Sequence, residues 1–303
     1  MQPIINYIKH PSRFFMGVIK KTKFLYSESL YLRMFYYLQM GQVLHLKKPR
    51  KYTEKIQWLK LHDRKPEYTM MVDKILVKEY VSKKISKDIV VPILAEYESV
   101  QDIDIDKLPD QFVLKTNHSG GNTGVVVCKD KRIFDVNEAK AKLQNSLAGC
   151  AGYDDYLEWP YKDVKRKVFA EAYLEDETGG LMDYKFMCFN GEPKFIHICP
   201  DRNSGGPIHF DYYDLDWNKL PFTIEHPNSD IIVSQPKSFD QMLEYAKILS
   251  AGIPLSRIDF YEVAGKPYFG EITFYPYSGM EKFDKEEWNI KLGDWIKLAI
   301  DKR

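Results

Sequence analysis

The last β-rich stretch limits the fold more than any other segment of the chain. Arg257-Ile-Asp-Phe-Tyr-Glu262 is followed, across Ala264-Gly265, by Tyr268-Phe-Gly-Glu-Ile-Thr-Phe274. Period-two alternation turns Ile258, Phe260 and Ile272 to one side and Arg257, Asp259, Glu271 and Thr273 to the other. Pairing across the 264–265 turn gives a hairpin with one buried face and one polar face. On the polar face Asp259 and Glu271 can approach as hard oxygen ligands for Mg²⁺ do. A charged outer face on a plain hairpin fits the same residues, so the pattern alone leaves both readings open.

The remaining segments read as alternating helices and strands. Residues 29–62 are helical in pattern, with a break at Pro49, and 73–84 reads as a further helix feeding a strand over 88–92. Strands are expected at 111–116 and 124–128, joined by Asn117-His-Ser-Gly-Gly-Asn-Thr123, whose adjacent glycines let the tip bend over a ligand with its backbone amides free for phosphate. A capped helix over 137–147 and a strand over 167–174 make a lobe of about 108–170. Further strands are expected at 184–189, 193–198, 209–215, 256–263 and 266–273, with a helix at 239–250. The fold class is therefore α+β, mostly antiparallel, with helices on one side of each sheet.

Three lysines sit where an anion would explain them. Lys74 stands at a helix start, Lys115 ends the strand Phe112-Val-Leu-Lys115 just before the glycine loop, and Lys185 lies inside the apolar run Tyr184-Lys-Phe-Met-Cys188. A lysine among apolar strand residues either snorkels to solvent or meets an anion, and the place of Lys115 favours the anion.

Composition narrows the function classes. The 303 residues carry 44 Lys plus Arg against 43 Asp plus Glu, so no global field draws the chain to nucleic acid. Four cysteines without CxxC spacing argue for neither a disulfide framework nor a zinc knuckle, and a reducing cytoplasmic home is the default. The longest apolar runs, such as 89–95, fall short of the about 18 residues a membrane span needs. Residues 1–27 contain no acid and mix Lys9, Arg13, Lys20, Lys21 and Lys23 with Phe14, Phe15, Ile19, Phe24 and Leu25. Such a stretch either touches an anionic membrane face peripherally or packs as a helical extension on the domain behind it.

Asp73-Lys74, Phe112-Val-Leu-Lys115, the Ser119-Gly-Gly loop, Glu171-Ala-Tyr-Leu174, Arg257-Ile-Asp259 and Glu271-Ile-Thr273 occur in an order that resembles the ATP-grasp enzymes. Longer phrases resemble one branch of them, the TupA-like ATP-grasp family of surface-polysaccharide biosynthesis. These phrases are Lys48-Pro-Arg-Lys-Tyr-Thr-Glu-Lys-Ile-Gln-Trp-Leu-Lys60, Leu108-Pro-Asp-Gln-Phe-Val-Leu-Lys-Thr-Asn-His118, Ala170-Glu-Ala-Tyr-Leu-Glu-Asp176 and Tyr268-Phe-Gly-Glu-Ile-Thr-Phe-Tyr-Pro276. The likeness runs from about Tyr31 onward.

The resemblance implies two α+β lobes clasping ATP over residues 71–303, behind a helical extension of 1–70. It implies that Lys74 and Lys115 contact phosphates, that the 117–124 loop with His118, Ser119, Gly120 and Gly121 closes over them, and that Glu171, Ala172, Tyr173 and Leu174 form the hinge that reads adenine. Asp259 and Glu271 are implied Mg²⁺ ligands with Thr273 beside them, where many ATP-grasp enzymes carry Asn, a stronger ligand. Arg257 is the implied stabiliser of the transferring phosphoryl group and, with Lys185 and Arg202, makes up the expected catalytic set. Arg202, in Asp201-Arg-Asn-Ser-Gly-Gly206, either clamps a uronate carboxylate bidentately or belongs to a polar turn.

The implied activity is ADP-forming carboxylate–amine ligation through an acyl phosphate, joining an amino acid or amine to a uronic acid of capsule or O-antigen. A carboxylate would have to expel oxide, so phosphorylation must come first, and no protein nucleophile is needed. Two rivals stand beside it. A glycosyltransferase could use the Asp214-Leu-Asp216 triplet, although no Rossmann-type unit surrounds it. A silent nucleotide-binding scaffold would bind Mg-ATP without turning it over.

Overall fold

The computed structural model describes residues 11–176, 180–201 and 206–302. Five helices come first: α1 (Pro11–Lys21), α2 (Glu28–Met40), α3 (Tyr52–His62), α4 (Glu67–Val72) and α5 (Leu76–Lys84). Ser27 caps α2 by accepting from the Leu30 amide, and the helix ends at Gly41 in the left-handed region. Residues 41–51, which include Pro49, separate α2 from α3, so the break expected there is present.

A four-stranded antiparallel sheet follows, built from β1 (Ile93–Tyr97), β2 (Phe112–Thr116), β3 (Val125–Cys128) and β4 (Val168–Ala172) in the order β1-β4-β2-β3. Helix α6 (Val136–Ala148) covers one face. Phe112, Leu114, Cys128, Val168 and Ala170 turn inward there and meet Leu143 in a small core. Alternation sends Val113 and Lys115 of β2, Val125 and Val127 of β3, and Glu171 of β4 to the opposite face.

After the short helix α7 (Ala151–Tyr156) comes a five-stranded antiparallel sheet: β5 (Asp183–Phe189), β6 (Glu192–Ile198), β7 (Asp211–Tyr213), β8 (Leu255–Val263) and β9 (Lys266–Thr273), ordered β7-β6-β5-β8-β9. Helix α8 (Phe239–Ser250) packs on it, and α9 (Glu286–Trp295) lies against α3. Phe186, Ile258, Phe260, Ile272, Met242 and Leu249 are sealed in the main core, where each large side chain contributes about 1.5–3 kcal/mol. The β8–β9 turn puts Ala264 and Gly265 at φ 52° and 74°, the primed geometry of a two-residue hairpin. Asp183 and Lys185 of β5, Arg257 and Asp259 of β8, and Glu271 and Thr273 of β9 share the face opposite this core. The α+β class and its antiparallel sheets are as expected from the sequence.

Three expected elements shift. The segment 88–92 is not a strand: Lys87–Ile89 is a 3-10 turn capped by Ser86, Val90 makes one isolated bridge to Phe269, and the strand starts at Ile93 beyond Pro92. Pro92 has no amide hydrogen to give a ladder, which explains the delay. The helix expected from residue 73 starts at Leu76, because the Asp73 carboxylate accepts from the amides of Ile75 and Leu76 and so serves as a cap. The strand expected over 209–215 shrinks to Asp211–Tyr213.

Candidate active site

The two chemical faces enclose a chain of three cavities. The first, ≈480 Å³, is walled by Val113, Val125, Val127, Tyr173 and Leu174, with Lys115 and Glu171 at one end. An apolar slot of this kind suits a flat heteroaromatic ring. It shares Lys115, Val125, Asp183 and Tyr261 with a second cavity of ≈450 Å³ that holds the charged groups.

In that second cavity the acids and bases are interlocked. Arg257 donates from Nε to Asp259 Oδ1 at 2.7 Å, and from Nη2 to Asp259 Oδ2 and Glu271 Oε1, both at 2.8 Å. Lys185 Nζ meets Asp259 Oδ2 at 2.6 Å and Asp183 Oδ2 at 3.2 Å, and Lys74 Nζ meets Glu271 Oε2 at 2.8 Å. Thr273 Oγ1 lies 3.4 Å from Glu271 Oε1. Burial alone would raise the Glu271 pKa, yet Lys74, Arg257 and Lys185 hold it far below the usual carboxylate range. Burial would lower the Arg257 pKa, but the nearby charges of Asp259 and Glu271 outweigh it and hold the pKa above its ordinary value.

Glu171 is the counterpart at the first cavity. Its carboxylate is clasped by Lys115, and by Lys78 at 3.0 Å. Burial would raise its pKa, but these two ammonium groups keep it lowered and the carboxylate ionised. Asn117 fixes the relative placement of Lys74 and Lys115. Its side-chain amide donates to Asp73 Oδ2 at 2.8 Å, and its carbonyl accepts from the Lys74 amide at 2.9 Å, tying the end of β2 to the base of α5.

The glycine loop hangs from a knot of hydroxyls. Thr116 Oγ1 is 2.7 Å from Ser119 Oγ and 2.8 Å from Ser146 Oγ. A Cβ at Gly124 would stand 2.0, 2.1 and 2.6 Å from the oxygens of Thr116, Ser119 and Ser146, so only glycine closes the loop here.

The structure thus gathers Lys74, Gly120, Gly121, Lys185, Arg257, Asp259, Glu271 and Thr273 around one cavity, and Lys115, Glu171, Ala172, Tyr173 and Leu174 around the adjoining one. His118 and Ser119 face a third cavity instead, of ≈410 Å³. His118 Nε2 donates to the Gly149 carbonyl at 3.0 Å, and burial lowers its pKa, so the ring is neutral. Arg202 lies outside the described residues. Asp214 accepts from the amides of Asp216 and Asn218 and so folds its own exposed turn.

Sequence reasoning passed over Lys78, Asp183, Glu158 and Tyr161, all of which line or brace the cavities. Lys78 was within reach, since it follows Lys74 by one helical turn, and Asp183 precedes Lys185 on the same strand face. Tyr161 lines both the second and third cavities.

Among the described residues no cluster of three or more His, Cys, Asp or Glu side chains is arranged to hold a metal ion. Asp259 and Glu271 nonetheless fit Mg²⁺, which takes one or two protein carboxylates and fills its shell with phosphate oxygens and water.

No match is found among curated proteins. Among solved structures, D-alanine–D-alanine ligase from Bacillus anthracis is similar at 18% identity over 68% of this chain and 57% of that one, with a TM-score of 0.37. D-Ala–D-Ala ligase from Helicobacter pylori matches at 16% identity over 82% and 70%, with a TM-score of 0.43. An ADP complex of purK, N5-carboxyaminoimidazole ribonucleotide synthetase, matches at 16% identity over 80% and 56%, with a TM-score of 0.44. The chain therefore spans little more than half the length of the first and third of these. The model of the TupA-like ATP-grasp family matches residues 54–297, most of the chain, and the order of the lysines, the glycine loop and the acidic hairpin is the one that resemblance required. This chain belongs to the TupA-like ATP-grasp family.

Proposed function

We propose that the chain is an ADP-forming ligase that joins a carboxylate to an amine through an acyl phosphate. The observation that carries this reading is the second cavity, where Lys74, Lys185 and Arg257 converge with Asp259 and Glu271 beside an apolar slot. Adenine would lie against Val113, Val127 and Leu174, with the backbone of 171–174 reading its edge. The phosphates would then reach Lys115 and Lys74 beneath the 117–124 loop.

In this proposal Asp259 and Glu271, with Thr273 beside them, hold Mg²⁺, which supplies charge neutralisation to the phosphate oxygens. The chain's own groups do the rest. Arg257 presents a fixed guanidinium to the phosphoryl group in flight, and Lys185 orients the acceptor carboxylate from the same face. The carboxylate oxygen attacks the γ-phosphorus and ADP leaves. The amine then displaces phosphate from the acyl carbon, so positioning and electrostatics carry the catalysis.

The substrates we favour are a uronic acid of a bacterial surface polysaccharide and an amino acid or small amine, with Arg202 as a further clamp on the sugar carboxylate. The proposed setting is cytoplasmic, with peripheral contact to the inner membrane face. That contact is supported by the exposure of Phe14, Phe15, Phe24 and Leu25 next to Arg13 and Lys21. No helix among the described residues is long and apolar enough to cross a membrane.

Phosphate and ADP release, measured while uronic acids are crossed with amino acids and ammonia, tests the ligase. Release that needs both partners is expected. Sugar transfer from a nucleotide sugar without ATP would establish the glycosyltransferase instead, and nucleotide binding that never turns over would leave the scaffold.

A further inference from the structure

The third cavity, ≈410 Å³, has no charge to spare for a ligand. No Lys or Arg occurs among the described residues that line it, and its histidine, His118, is neutral. Glu158 is its one acid, and that carboxylate is already matched. Ser278 Oγ donates to it, and the buried Lys60 and Arg257 set their charges against the penalty of its burial. An ion entering here meets no free counter-charge, so the cavity suits neither phosphate nor ammonium.

What the lining offers is uncharged hydrogen-bonding groups. Tyr156 and Tyr161 stand half-buried in its wall, and neither hydroxyl has a hydrogen-bond partner among the described residues; the same holds for the exposed Asn145 side-chain amide. Thr123 Oγ1 gives its hydrogen to the Gly120 carbonyl and Ser278 Oγ to Glu158, so both oxygens remain acceptors. Donors and acceptors are thus mixed around one space, together with two aromatic rings. A polyhydroxylated ring satisfies such a mixture, because each of its hydroxyls both gives and receives while its C–H face lies against an aromatic side chain.

We infer that the third cavity is a subsite for a neutral sugar unit joined to the acid that is phosphorylated in the second cavity. This rests on the ligase reading and deepens it by naming the acceptor as an oligosaccharide or longer chain. Lys74, Lys115, Lys185 and Arg257 of the second cavity suit phosphates and one carboxylate. Gly120, Glu158, Tyr161 and Ser278 line both cavities, so a glycan can run from the charged chamber into the uncharged one without leaving the protein. A peptide fits less well. An extended peptide pairs its backbone amides with a strand edge, whereas the residues around this cavity come from loops and helices and from none of the strands.

Binding can be read without turnover. The full chain, saturated with Mg-ADP, is titrated by ligand-observed NMR with the methyl glycosides of glucose, galactose, mannose, rhamnose, N-acetylglucosamine and N-acetylgalactosamine, and with N-acetylalaninamide as a neutral peptide control. Wild type is expected to bind at least one glycoside and not the control. Gly149 is exposed in extended backbone with no atom within 4 Å of where a Cβ would stand, so Gly149→Leu should fold and bind ADP as wild type does while filling the cavity. Glycoside affinity should then fall about tenfold or more, and Tyr161→Phe, which removes one hydroxyl, should lower it about threefold to tenfold. Joined to glucuronate in a disaccharide, the same sugar should raise the affinity for glucuronate about tenfold, a gain that Gly149→Leu removes. Absence of glycoside binding, glycoside affinity unchanged in both variants, binding of the peptide control in place of a glycoside, or a disaccharide that gains nothing would each overturn the inference. Glycoside binding that behaves as expected, in a chain that releases no phosphate with any substrate pair, would refute the ligase and leave the sugar site standing.

Discussion

Glu281→Gln should make the protein more stable at neutral pH and leave it unchanged in acid. Glu281 lines a small enclosed cavity with His197, Tyr212 and Tyr277, about large enough for one water. The residue is partly exposed, but its Oε2 is sealed and has no hydrogen-bond partner among the described residues, and neither has the Tyr212 hydroxyl. Burial pushes the pKa from 4.5 up to about 9, Glu225 adds to the rise, and Arg257 opposes it. The folded pKa therefore lies above the unfolded one. The stability this group allows is fully present below pH 4.5 and is lost as the pH climbs through about 9. Each pH unit inside that window costs about 1.4 kcal/mol, which gives a ceiling of about 3 kcal/mol at pH 7; residual solvent access reduces it to about 1–2 kcal/mol. Gln carries no such titration. Urea unfolding of both proteins at pH 5, 7 and 8.5 should show an advantage for the variant that grows with pH. A difference that stays constant across the three, or wild type gaining on the variant as pH rises, would refute the assignment of a neutral Glu281.

The remaining expectations concern the cleft. Glu271→Gln should abolish ADP release and keep the fold, since its side chain is 27% exposed and its partners can turn to solvent. Asp259→Asn should abolish it too, and should cost about 3 kcal/mol or more, because Lys185 and Arg257 lose the charge that balances them in the interior; wild-type turnover in either variant would reject the site, and an unshifted melting curve for Asp259→Asn would reject the energetic account. Lys115→Ala should weaken ADP binding about tenfold in calorimetric titration, and unchanged affinity would remove Lys115 from the phosphate site. Gly124→Ala should displace the hydroxyl knot of Thr116, Ser119 and Ser146, at a cost of about 1–3 kcal/mol with a matching loss of nucleotide affinity, and a variant that melts and binds like wild type would show that the loop tolerates a side chain.

Much of this cleft is legible in the sequence. Period-two alternation in 257–262 and 268–274 fixed which side chains share a face, and the two-residue turn at 264–265 fixed the pairing, so Arg257, Asp259, Glu271 and Thr273 fell together as expected. A β9 bulge shifts the register between Ile258 and Phe260, a detail no local pattern announces. Lys185 was placed by its apolar neighbours and Asp183 by lying two residues before it on the same strand, but its partner Asp259 needed the β5–β8 register. The partnership of Glu171 with Lys78 needed α5 laid against the smaller sheet, a tertiary contact spanning 93 residues of sequence. Glu158 was invisible for the same reason: nothing local marks a lone acid after an aromatic cluster as the border of two cavities. The error at 88–92 came from reading an apolar run as a strand without weighing that Pro92 postpones the ladder.

The interlocked charges of the second cavity bear on how nucleotide enters. Four acids, Glu158, Asp183, Asp259 and Glu271, stand there against four cations, so the chamber is electrically balanced before anything arrives. Admission of a magnesium-chelated triphosphate is then an exchange of partners, ammonium for metal on the carboxylates and phosphate for carboxylate on the ammonium groups, with no counter-ion atmosphere to shed. Ionic strength should consequently tune nucleotide affinity only weakly, unlike a cleft that attracts its anion by net positive field.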